Sequence, residues 1–154
     1  GRGRLNMLTD VLAEIFERDL LKLRTEVEHY TNESDLWKVN GSIPNSAGNL
    51  ALHLVGNLKH FIGTVLGGIA YVRDRDLEFA DADVPRDHLI AAIDETRDIV
   101  RETLAKLTSS DLEAEYPIKV FGHSMTTEFF IVHLATHLDY HLGQINYHRR
   151  LLAI

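Results

Sequence analysis

From Leu5 onward, apolar residues recur at steps of three and four: Leu8, Leu12, Phe16, Leu20, Leu23, Val27 and Tyr30. Glu14, Arg18, Lys22 and Glu28 fall between them, which predicts an amphipathic helix with one face on a core. Asn32, Glu33 and Ser34 are expected to end it, and Gly41 to Pro44 reads as a turn-rich joint. Ser46 is placed to cap a second helix carrying Leu50, Leu54, Leu58, Phe61, Ile62 and Val65, which stops at Gly67 and Gly68. Gly48, Gly56 and Gly63 lie inside it, each at a cost of about 1 kcal/mol against alanine. The pattern leaves open whether they admit a close neighbour or only weaken the helix. Pro85 suits the first turn of a third helix, with Leu89, Ile93, Val100, Leu104 and Leu107 as its stripe and Ser109, Ser110 and Asp111 as its close. Tyr116 to Gly122 reads as a short extended excursion. Ser124 or Thr126 caps a fourth helix running to about Leu152, with Glu128 near its positive end.

Four helices and no convincing strand predict an all-α four-helix bundle, one domain over residues 1–154. Residues 69 to 84 have no clean period and make a long connection for neighbouring antiparallel helices. Extended, such a stretch reaches over roughly 50 Å, enough to travel back along a helix of about 33 Å. Helices two and three are therefore expected to run parallel, joined by a crossover. Tyr71, Asp74, Asp76 and Phe79 make that crossover a candidate pocket wall.

Composition narrows the function classes. With 23 acidic and 16 basic residues the formal charge is −7, which argues against a nucleic-acid partner. The absence of cysteine excludes disulfides, thiolate zinc sites, iron–sulfur clusters and a cysteine nucleophile. No apolar run reaches the roughly 18 residues of a membrane span, and Asp10 and Glu14 interrupt any signal-peptide core after the basic start. The expected compartment is the cytoplasm.

Nine histidines are the unusual number, and their spacing matters more than their count. His133, His137, His141 and His148 fall on the fourth helix. A step of four turns a residue by about 40° and raises it by about 6 Å, so His137 and His141 stand one turn apart on one face. Two imidazoles so placed can converge on one ion. On a helical wheel Phe130, Leu134, Leu138, Ile145 and Leu152 fall near His141, while Asp139, Asn146 and Arg150 lie opposite; the pair is expected on the core-facing stripe. A single inward histidine is more often just hydrogen-bonded than a ligand; a pair one turn apart leaves both readings open, and a third ligand from another helix would favour metal. His53, mid-way along the second helix, leads for that third place, with His60 as its rival or else part of a polar seam. His133 and His148 are candidates for supporting or pocket roles, as is Gln144, which can orient a ligand or bind substrate. His29, His88 and His123 read as surface residues.

Other bundle chemistries fare worse. A carboxylate-bridged di-iron site wants two Glu-x-x-His motifs, and Glu26 to His29 is the single example. No Gly-x-Ser-x-Gly elbow supports a serine triad, and no glycine-rich phosphate loop is present. A haem held by two histidines stays open.

The segment Asn45-Ser46-Ala47-Gly48-Asn49-Leu50-Ala51-Leu52-His53-Leu54, together with His133-x3-His137-x3-His141-Leu142-Gly143-Gln144-Ile145, resembles the DinB/YfiT-like superfamily of metal-dependent proteins. The resemblance spans essentially the whole chain. It implies a DinB-like four-helix bundle, with His53, His137 and His141 as the triad for a divalent ion such as zinc or nickel. It also implies a homodimer, for which Ile15 and Leu21 offer aliphatic contacts. Some members are similar to thiol transferases or isomerases that use a low-molecular-weight thiol. The expected function is therefore metal-dependent thiol S-transfer to a small electrophile, or a related hydrolase or isomerase reaction, with the open coordination positions of three neutral imidazoles holding the reacting thiol. The alternative is a non-catalytic, stress-associated protein that binds metal or a small ligand in the same place.

Overall fold

The computed structural model describes residues 7–153; Leu5, at the head of the first apolar stripe, lies outside them. Four long helices carry the bundle: α1 (Leu8–His29), α2 (Ala47–Leu58), α4 (Arg86–Lys106) and α6 (Thr127–Leu152). Two short ones, α3 (Arg75–Ala80) and α5 (Ser109–Glu113), and a 3-10 turn at Glu33–Trp37 lie between them. Among the described residues the architecture is all-α, and no helix is long and apolar enough to cross a membrane. The stripe read along α1 is the one that folds inward: Leu12, Phe16, Leu20, Leu23 and Val27 are all buried. Each such side chain contributes about 1.5–3 kcal/mol of burial, far more than helix propensity supplies.

Side-chain pairs fix the helix directions. Arg97 bonds Glu17, Arg24 pairs with Asp94, and Arg86 donates to the Glu28 carbonyl, so α4 runs antiparallel to α1. Lys59 with Glu95, Gly63 against Ile99 and Gly67 against Thr103 advance together, so α2 and its extension run parallel to α4. The expected parallel pair and its crossover are present. The crossover is not structureless, however. Asp74 Oδ1 accepts the Leu77 amide at 3.1 Å and starts α3, a helix too short to leave a period in the sequence. Asn49 Nδ2 then ties that helix down onto α2, donating to the carbonyls of Glu78 (3.0 Å) and Asp81 (2.8 Å).

Local chemistry sets the helix ends, and one of them, the close of the third long helix, differs from expectation. Past Leu58 the second helix widens into a π-helical turn, Lys59–Thr64, before it stops at Gly67 and Gly68, the latter at φ +69°. Ser109, Ser110 and Asp111 do not close the third long helix. It ends at Lys106, and those residues open α5, because Thr108 accepts the Asp111 amide while Asp111 Oδ2 accepts the Thr108 amide. Thr126 rather than Ser124 caps α6, accepting the Phe129 amide at 3.0 Å. The excursion before it is pinned by the Tyr116 amide to Met125 O (2.9 Å) and by the Tyr116 hydroxyl to Phe61 O (2.6 Å).

The glycine question also resolves. A Cβ at Gly56 would overlap the Glu78 carboxylate, and one at Gly48 would stand 2.7 Å from the Trp37 ring. These glycines let α3 and the 3-10 turn approach α2, which is buried on nearly every side, Leu52 being the half-buried exception. On α6 the core stripe is Phe130, Leu134, Leu138, Leu142 and Ile145. His133, His137 and His141 flank that stripe half-buried instead of sitting within it.

Candidate metal centre

Antiparallel packing of α2 and α6 brings three imidazoles to one point. His53 Nε2 and His141 Nε2 each lie 3.2 Å from His137 Nε2. The ligand-capable atoms of all three residues fall within 4.8 Å of one another, and among the described residues no other histidine, aspartate or glutamate joins them. The His-x3-His step on α6 supplies two of these nitrogens, and the middle of α2 supplies the third.

The opposite ring nitrogens decide what the cluster can do. Glu78 Oε1 lies 3.1 Å from His53 Nδ1. A carboxylate only accepts, so Nδ1 carries the hydrogen and Nε2 presents a lone pair. Gln144 Oε1 stands 2.7 Å from His141 Nδ1 and sets the same tautomer there. His137 Nδ1 is buried without a partner. If His137 Nε2 carries its hydrogen, it can serve only one of its two acceptors and leaves Nδ1 a bare buried lone pair. If Nδ1 carries it, three lone pairs face one another. Either way acceptors outnumber donors, an imbalance that a cation removes. Nitrogens bound to one zinc ion at about 2.0–2.1 Å stand roughly 3.3 Å apart in a tetrahedral set, close to the two spacings here. The residues present fit a divalent metal.

Electrostatics keeps the rings in their ligating form. Burial, then the neighbouring imidazoles of His141 and His53, push His137 down to about 3. Burial also lowers His141, against the upward pull of its bond to Gln144. Both stay neutral, as metal binding requires. Around His53 the support is ionic: Arg73 grips both oxygens of Glu78, at 2.9 and 3.0 Å. Burial alone would raise the Glu78 pKa, but the hydrogen bonds from His53 and Arg73 outweigh it and hold it below the usual carboxylate value. The Phe79 ring packs on His53 at 4.8 Å.

The remaining sequence candidates are placed as follows. His60 sits in the π-helical turn against Phe61, outside the cluster, its pKa lowered by burial and then by Arg73. His133 stacks on Phe130 and approaches the His137 ring at 6.3 Å. His148 has both nitrogens engaged, with the Tyr30 hydroxyl at 2.6 Å and the Lys38 carbonyl at 2.8 Å, and ties α6 to the chain beyond α1. His29, His88 and His123 are exposed. Of the crossover residues expected to wall a pocket, Phe79 touches His53, Asp74 caps α3, Asp76 is exposed, and Tyr71 packs under Lys59.

Glu78, Arg73 and Asn49 escaped the sequence reading. Two signals pointed there. Asp74 is a helix-capping residue at the head of the unassigned stretch. Gly56 lies three residues after His53, on the same helix face, where a missing side chain marks something packed close.

On the far side of His141 the chain opens. His141, Gln144 and His148 line a groove of about 560 Å³ with Ile43, Leu50 and Tyr147, and among the described residues no aspartate, glutamate, lysine or arginine lines it.

No curated protein matches this chain. A family model does: it is described as a protein of unknown function (DUF1572), it covers residues 8–153, and the chain belongs to that family.

Proposed function

We propose that His53, His137 and His141 hold one divalent ion, zinc or nickel, and that the protein uses it for thiol S-transfer or a related hydrolytic or isomerising reaction, as a DinB/YfiT-like enzyme. The observation that carries this reading is the convergence of three Nε2 atoms, with no fourth histidine, aspartate or glutamate among the described residues closing the set. Three protein ligands with a free position are the pattern of catalytic rather than structural sites. A bound divalent ion supplies Lewis acidity, which favours the thiolate form of a thiol held there.

The chain's own residues do the rest. Glu78 and Gln144 hold two imidazoles in the ligating tautomer. Phe79, Arg73 and Glu78 close the His53 side to water, so substrate approaches past His141. The uncharged, partly aromatic groove there suits a small apolar electrophile with one polar group for Gln144. A chain without cysteine takes its sulfur from a low-molecular-weight thiol, and a cytoplasmic setting keeps such thiols reduced.

The test is an assay of metal-loaded, tag-free protein with a panel of small thiols and electrophiles, with metal-free protein and His141→Ala as controls. Turnover that needs both the ion and the thiol, and that disappears in His141→Ala, is expected. Tight metal binding with no thiol-dependent turnover across the panel would overturn the transferase in favour of a non-catalytic, stress-associated binder of metal or a small ligand.

A further inference from the structure

At the end of the bundle where α6 begins, the extension of α2 and α4 stop side by side. They run parallel, so both present a C-terminal end there, the first at Val65 to Gly67 and the second at Lys106. A cavity of about 420 Å³ is lined by both ends, by Asp111 of α5 and by Thr127 of α6. Thr127 stands roughly 15 Å along α6 from His137, and the cavity shares no lining residue with the groove beside His141.

Thr103 is the telling residue. It is only 5% exposed, yet among the described residues its hydroxyl has no hydrogen-bond partner. A threonine inside a helix can return its proton to the carbonyl four residues back, as Thr96 does to Ala92 O at 2.7 Å. Thr103 Oγ1 stands instead towards Gly67, where an added Cβ would come within 2.7 Å of it. The absent side chain at Gly67 leaves the hydroxyl open to the cavity that both residues line. A buried hydroxyl is costly unless something there satisfies it.

The charges say what that is. Glu102, Asp111 and Glu115 line the cavity against one cation, Lys106, which sits in the last turn of α4, where the helix dipole already favours it. The two helix ends add their own negative poles, and the Val65 and Leu66 carbonyls accept no backbone hydrogen bond among the described residues. Thr127 brings in the positive end of α6, but its amide is taken by Ala114 O at 2.8 Å and that of Phe129 by Thr126 Oγ1 at 3.0 Å. A cation therefore finds more partners here than an anion does. Among the described residues the three carboxylates do not converge as metal ligands would. The remaining wall, with Leu66, Ile69, Leu107 and Pro117, is aliphatic.

We propose that this cavity is a second binding site, for a small organic cation: a primary ammonium on a short apolar chain, with Thr103 Oγ1 accepting one of its hydrogens. The site is independent of the metal centre and of the function proposed above.

The probe is n-butylammonium, with n-butyrate and n-butanol as controls of the same chain length. Heteronuclear magnetic resonance on the full chain follows the Thr103 and Ile69 signals during each titration. Saturable shifts with the amine are expected, at a dissociation constant on the order of 1 mM, a strength open to a ligand of about five non-hydrogen atoms. Both controls should bind far more weakly. Thr103→Val, nearly the same shape without the hydroxyl, should weaken the amine about tenfold, since hydrogen bonds to charged groups carry that much. Glu102→Gln, an exposed change that leaves the fold alone, should weaken it about threefold. Shifts that do not saturate would overturn the site. So would a control that binds as tightly as the amine, or undiminished affinity in either variant.

Discussion

His53 on α2 and His141 on α6 present the same ring nitrogen to the same point, yet their surroundings differ. His53 is buried, its far nitrogen bonded to a buried carboxylate that Arg73 holds in turn, with Phe79 over its ring. His141 is half-buried, its far nitrogen bonded to an exposed glutamine at the mouth of a groove. The α2 wall is fixed by charge and close packing. The α6 wall is held by a neutral amide on its own helix and faces the solvent. One wall sets the position of a ligand, and the other gives it access.

That contrast breaks hardest at Glu78. Glu78→Ala leaves Arg73, with a side chain only 11% exposed, without its ion-pair partner. Removing one member of such a pair costs about 3–5 kcal/mol, on the order of 10 °C in melting midpoint for a chain of this size. Metal affinity should fall about 10–100-fold with it, as is usual when the support of a ligating histidine is lost. Calorimetry and a metal titration measure the two effects separately. A variant as stable and as tight as wild type would remove the asymmetry.

Gly56→Ala probes the same wall by crowding it. The new methyl would overlap the Glu78 carboxylate, and overpacking typically costs about 1–3 kcal/mol. Destabilisation together with weaker metal binding is expected in the same titration. An alanine that raises stability, as helix propensity alone would predict, would show that α3 does not press on α2.

Acid should act through the buried ring between the walls. On folding, His137 drops from 6.5 to about 3, so between those values the unfolded chain binds a proton that the folded chain does not. Stability of the metal-free protein is then undiminished above pH 6.5 and is lost progressively as pH falls towards 3. Melting midpoints across that window should decline less steeply in His137→Phe than in wild type. Equal slopes would assign the acid sensitivity elsewhere.

The smallest effect is expected on the open side. Gln144→Ala removes an exposed side chain, so stability should stay within about 0.5 kcal/mol. Metal affinity should fall less than it does in Glu78→Ala. An equal or larger loss would invert the comparison.

The open wall was also the legible one. His137 and His141 are neighbours through helix geometry alone, so spacing in the sequence shows them together. His53 could be placed on α2 but not set apart from His60 by periodicity, since both lie on nearly the same side. Seven residues further on, His60 stands about 10 Å along the axis, against Phe61 and outside the cluster. Glu78 was harder to see. It lies 25 residues from His53, on a helix of six residues whose docking depends on Asn49 and on an absent side chain at Gly56. Local pattern carries no trace of such a tertiary contact beyond the capping aspartate and that glycine. The same holds for α5: Ser109 to Asp111 look like a helix stop until the reciprocal bonds with Thr108 are seen. The four long helices and the parallel crossover, in contrast, follow from stripes and loop length.

The central claim is that these three imidazoles are a metal site, and elemental analysis of protein purified without an affinity tag tests it most directly. One divalent ion per chain is expected in wild type and in His60→Ala, and loss of the ion is expected in His53→Ala, His137→Ala and His141→Ala. Full metal content in those three variants, with loss in His60→Ala or His133→Ala instead, would contradict it.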